Sequence, residues 1–128
     1  MSYQHVLKCD LDPGGEVIRA QKSYTGTGHA RIDESVANGQ TDSQINVAID
    51  VSAVKSIIIL ADQNVTLETN SGSTPADTIS LVAGVPYVWN TDSYAAFVLG
   101  TDVTAIFITN ASGAAARIQL DAVFDATP

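Results

Sequence analysis

Only six basic side chains stand against fourteen acidic ones in 128 residues, a formal charge of −8, with an isoelectric point near 4.3. Such a surface repels phosphate backbones, so no nucleic-acid partner is expected. The single cysteine, Cys9, cannot close an intrachain disulfide. Together with His5 and His29 it leaves too few and too scattered ligands for a structural zinc site. Apolar runs are short: the longest, centred on Ser56–Ala61, falls far below the ~20 residues of a membrane-crossing helix. The first ten residues, MSYQHVLKCD, lack a basic region followed by an apolar one. These features predict a soluble chain without a membrane partner or an export signal, made in a cytoplasm.

What is present is a strand pattern. A chain of 13.4 kDa exposes about 6,500 Å² when folded against about 19,000 Å² unfolded, enough burial for one domain with a real core. Apolar residues alternate with period two, β-branched residues fill the alternating positions, and no long stretch keeps a helical period. Residues 3–8 read as a strand or an arm. Glu16–Tyr24 follows as a strand after the Asp12-Pro13-Gly14-Gly15 turn, and Thr25-Gly26-Thr27-Gly28 as a flexible step. Strands are expected at Ala30–Val36, Gln44–Asp50, Asn64–Thr69, Thr78–Val82, Tyr87–Trp89, Val103–Thr109 and Ala116–Phe124. Val51–Lys55 is a short connection of at most one helical turn. The continuous apolarity of Ser56–Ala61 predicts a central strand buried on both faces. Eight or nine short strands at about ten-residue spacing predict an all-β, single-domain sandwich, jelly-roll-like. Residues 1–28 form its N-terminal arm or first strands and residues 29–128 its body. Asn64–Ala83 and Asp102–Ala122 echo each other as strand, Asn/Ser/Gly loop, strand, which suggests two similar hairpins.

The charge is divided unevenly. Residues 1–35 hold Lys8, Arg19, Lys22 and Arg31 against Asp10, Asp12, Glu16, Asp33 and Glu34. The remaining 93 residues hold only Lys55 and Arg117 against nine acids. The near-neutral first segment suits docking on an acidic partner while the body faces water, or the split is a chance scatter of charge.

No catalytic motif emerges. Nucleophilic catalysis needs a serine or cysteine beside an oriented base; no G-x-S-x-G elbow exists, and Cys9, which could pair with His5 or His29, lies between Leu7 and Leu11 as an ordinary apolar filler. Asp10-Leu11-Asp12-Pro13-Gly14-Gly15-Glu16 imitates the start of a calcium loop, yet Gln21 occupies the position that needs a bidentate glutamate, so a turn is expected. Asp33 and Glu34 leave opposite faces of an extended strand and make no acid/base pair. The glycines at 26 and 28 lack the phosphate-loop pattern. Two N-x-[ST] sequons, at Asn64 and Asn110, are coincidental without an export signal. Tyr87, Trp89, Tyr94 and Phe97 cluster within eleven residues, either as core and interface packing or as a sugar-stacking platform. The expected protein is not an enzyme and has no cofactor and no metal.

The phrases Ile45–Ser52 through Lys55-Ser56, Asp62–Asn70, Ala83–Asn90, and Val103-Thr104 to Thr109–Gly113, with the terminal Asp125-Ala126-Thr127-Pro128, resemble a family of small tailed-bacteriophage structural proteins over about residues 30–128. The resemblance implies a virion component, most similar to the capsid decoration (cement) proteins. These trimerise on the outside of the head, with the major capsid protein as partner. A head-fibre or tail-associated module that contacts host glycans through the aromatic cluster is the alternative.

Overall fold

The computed structural model describes residues 2–125, so Ala126-Thr127-Pro128 lie outside the described residues. Ten strands run in order: β1 (Tyr3–Leu11), β2 (Ile18–Gly26), β3 (Gly28–Val36), β4 (Ser43–Ile49), β5 (Val54–Ala61), β6 (Val65–Thr69), β7 (Thr78–Leu81), β8 (Tyr87–Asn90), β9 (Val103–Thr109) and β10 (Ala116–Phe124). A single 3₁₀ turn, Val51–Ala53, precedes β5, and the Asp50 side chain accepts from the Ser52 amide to cap it. The count exceeds the eight or nine expected because residues 3–11 form a full strand.

Two four-stranded antiparallel sheets make the sandwich, one in the order β3-β10-β5-β8 and the other β4-β9-β6-β7. Among the eight strands of the sandwich, β6 and β7 alone are both sequence neighbours and ladder partners; every other connection between these strands crosses from one sheet to the other. This interleaving of eight strands is the jelly roll that the spacing predicted. The echo of Asn64–Ala83 in Asp102–Ala122 is therefore not two hairpins: β6 and β7 pair, whereas β9 and β10 lie in different sheets. Strand alternation reads alike in both cases, and only the partner differs.

The core lies between the sheets. On β10, Ala116, Ile118, Leu120 and Ala122 point inward, while Arg117, Gln119 and Asp121 point out. They meet Ile57 and Ile59 of β5 in their own sheet and Leu67, Ile106 and Ile108 of the other, all essentially without solvent contact. Burying each such isoleucine or leucine contributes about 1.5–3 kcal/mol as an upper estimate. Asn110 caps the β9–β10 crossing: its side-chain amide donates to the Val36 and Ala114 carbonyls, and its oxygen accepts from the Ser112 amide and hydroxyl.

Strand β5 corrects the expectation of burial on both faces. It is central, between β10 and β8, but its outer face carries Ile58, 37% exposed, and the half-buried Leu60. Uniform apolarity along a strand does not say whether a second layer covers it.

The first two strands form their own two-stranded ribbon, in unbroken register from Tyr3 opposite Gly26 to Leu11 opposite Ile18. Thr25–Gly28 is not a flexible step. A Cβ on Gly26 would collide with the Phe124 carbonyl and one on Gly28 with the Phe124 ring, so the crossing into β3 is a packed contact that only glycine fits.

Candidate functional site

Side chains directly opposite in an antiparallel pair share a face. One face of the ribbon therefore carries Tyr3, His5, Leu7, Cys9 and Leu11 with Tyr24, Lys22, Ala20 and Ile18. The other carries Gln4, Val6, Lys8 and Asp10 with Thr25, Ser23, Gln21 and Arg19. The first face is the more apolar, and its proximal half sits on the outer face of the β3-β10-β5-β8 sheet, where Tyr24 is buried and Tyr3, His5 and Leu7 are half-buried. The distal half, residues 8–11 and 18–21, is exposed throughout.

His5 fastens the proximal half. Its Nδ1 lies 2.8 Å from the Ser56 hydroxyl of β5 and its Nε2 2.7 Å from Asp121 of β10. The second oxygen of Asp121 meets His29 Nε2 at 3.0 Å, and Tyr3 stacks on the His29 ring at 4.8 Å between centroids. On the other strand, Lys22 pairs with Asp92 at 2.7 Å and the Tyr24 hydroxyl donates to the same carboxylate. The hydrogen bond from Lys22 holds the Asp92 carboxyl below the usual carboxylate range, and the same bond raises Lys22. Burial, and then the bond to Asp92, raises Tyr24.

Ser56, His5 and Asp121 have the connectivity of a nucleophile, base and orienting acid, with the ring nitrogens exchanged relative to the serine-protease arrangement. Ser56 is only 5% exposed and faces the underside of β1, in a space of about 230 Å³ bordered by Gln4, Val6, Leu7, Ile58 and Val88. The trio joins three separate strands and acts as a tether. Sequence reading missed it because the members are 51 and 116 residues apart; the only signal was a histidine on the apolar side of an alternating segment.

Beside the ribbon, the uncovered part of the same sheet forms a groove of about 210 Å³ lined by Ile58 and Leu60 and rimmed by Arg31, Gln119 and Asp121. Ile58 borders both this groove and the space under β1.

The structure does not bring the four aromatics onto one open platform. Tyr87 and Trp89 of β8 lie opposite Ile59 and Ile57, on the inward side, and pack against the core with Phe97. Trp89 and Phe97 stack at 4.3 Å, the Trp89 indole donates to the Ala95 carbonyl, and the Tyr87 hydroxyl accepts from the Val98 amide. Tyr94 alone is fully exposed.

Cys9 is likewise not the filler expected. It is exposed on the distal ribbon, whereas both ring nitrogens of His5 are engaged with Ser56 and Asp121. Asp12 closes the ribbon's turn by accepting from the Gly14 amide at 2.8 Å, with Gly14 at a φ of 89°, so the calcium-like spacing is a turn. Among the described residues no group of three or more His, Cys, Asp or Glu side chains is arranged to hold a metal ion. Asp33 forms a two-bond pair with Arg117, at 2.9 and 2.8 Å, which holds its carboxyl low.

Comparison with protein-family models, with curated proteins and with solved structures returns no match for the chain.

Proposed function

We propose that the chain is a non-enzymatic structural protein of a tailed-bacteriophage virion, a decoration protein that attaches to the outside of the head as a homotrimer and stabilises the shell. The observation that carries this reading is the ribbon, whose apolar face runs on past the sheet that covers its first half, leaving Leu11 and Ile18 directly opposite each other in solvent. An isolated two-stranded ribbon is marginal in water, so a projecting one with an apolar face is built for assembly. The solvent-accessible surface, 7374 Å², exceeds the roughly 6,500 Å² of a compact chain of this mass, in keeping with a projecting element. The partner in this reading is the major capsid protein. A jelly roll of two tightly packed sheets supplies the stiffness that bridging capsid subunits against internal pressure demands, and the acidic body faces outward.

The virion assignment takes up the likeness that the sequence phrases of residues 30–128 suggest, and the groove and ribbon favour assembly over catalysis. The experiment is co-sedimentation with purified, expanded phage heads that lack small surface proteins. Saturable binding in multiples of three chains per site, with heads that resist heat better when coated, is the expected result. Protein that stays in the supernatant at every concentration refutes the proposal.

A further inference from the structure

We infer that the distal half of the ribbon seats in the Ile58–Leu60 groove of a second copy of this chain. The inference rests on the trimeric reading above and names the contact that would build it.

The chain itself displays the mode of contact. The proximal half of the ribbon's apolar face already lies on the outer face of the β3-β10-β5-β8 sheet, through His5, Leu7 and Tyr24. The distal half continues that same face with Cys9, Leu11, Ile18 and Ala20, and Leu11 and Ile18 are 59% and 62% exposed. The sheet's outer face also continues, past the ribbon, as the groove under Ile58 and Leu60. One half-covered surface thus presents the pattern that the other half-covered surface already binds.

Intrachain closure is barred by geometry. Nine paired residues in unbroken register make a stiff ribbon about 30 Å long. Its proximal half is pinned at His5, Lys22 and Tyr24, so its tip cannot turn back onto its own groove. Charge favours another copy as the receiver. Residues 1–28 carry three basic and three acidic side chains, whereas all the net charge of −8 sits on residues 29–128. A neutral ribbon approaches an acidic body without the repulsion that two bodies would feel. Ribbon into groove is a heterologous contact, which closes into a ring when the rotation permits.

Cys9 gives a direct test, since it is the sole cysteine and lies on the seating face. The native chain is mixed with a Cys9→Ser, Leu60→Cys variant and oxidised gently. A disulfide that joins the native chain to the variant then reports a ribbon in a neighbour's groove, and homodimers of the native chain through Cys9 are counted apart from it. Gln119→Cys, on the rim of the same groove, serves as a second acceptor should Leu60→Cys disturb folding.

The expected result is a covalent heterodimer, reduced at least about tenfold in yield when the cysteine-bearing ribbon also carries Leu11→Asp and Ile18→Asp. No heterodimer from either acceptor, with both thiols open to maleimide, overturns the inference. A heterodimer from a protein that ignores phage heads upholds this contact and refutes the decoration reading, so the two fail separately.

Discussion

Replacing His5 by alanine should loosen the ribbon and leave the sandwich alone. The imidazole makes one hydrogen bond to the Ser56 hydroxyl and one to the Asp121 carboxylate, and it is the ribbon's bridge to both β5 and β10. A neutral hydrogen bond contributes about 0.5–1.5 kcal/mol and one to a charged group about 1.5–3. With His5 and Asp121 side chains 19% and 24% exposed, water recovers part of that, and about 2 kcal/mol is the reasonable sum. That corresponds to about a 30-fold rise in the population of the open ribbon. Amide hydrogen exchange followed residue by residue is the assay. Protection in β1 and β2 should fall about 30-fold, while amides of β5, β9 and β10, which exchange through global unfolding, should change little. A uniform loss across all strands would mean that His5 supports the sandwich itself, and an unchanged ribbon would mean that the tether is idle. Either result rules out a tether that holds the ribbon alone.

Asn110→Ala removes four hydrogen bonds from a side chain without solvent contact, at about 1 kcal/mol each, and should lower the thermal midpoint by about 10–20 °C in calorimetry. Glu68 is raised above the usual carboxylate range, first by burial and then by Asp42, so its ionised form is penalised in the fold. Stability from this group is full below the unfolded carboxylate value and falls as pH rises through the higher folded value. Glu68→Gln should therefore stabilise at neutral pH and give no gain near pH 3, as read in urea titrations at the two pH values. Asp33 and Asp92 act with the opposite sign, their stabilisation being lost as pH falls below the ordinary carboxylate range. Gly26→Ala drives a methyl group into the Phe124 carbonyl and should cost about 1–3 kcal/mol, read in the same titrations.

The strands were legible because their information is local. Val103–Thr109 and Ala116–Phe124 have the bounds that alternation predicted, and the jelly roll followed from strand count and spacing. What the sequence hid depends on layers and partners. Ser56–Ala61 reads as doubly buried because Ile58 and Leu60 are as apolar as Ile57 and Ile59, yet half of them face a groove. Cys9 reads as core because it alternates with Leu7 and Leu11, yet beyond Leu7 the ribbon has left its sheet. Glycines 26 and 28 read as slack for want of any local sign that Phe124 crosses there. The Ser56–His5–Asp121 tether joins residues with no common periodicity, and only pairing of distant strands brings them together. The aromatic cluster divides for the converse reason. Residues close in sequence part company in space, with Trp89 and Phe97 on the core side and Tyr94 in water.

Assembly through the ribbon is read out by the solution mass of the purified chain, followed by light scattering over a range of concentrations. The expected mass is three chains, about 40 kDa from 13.4 kDa each, falling toward one when Leu11 and Ile18 become aspartate. A native chain that stays at one chain mass at every concentration would contradict it.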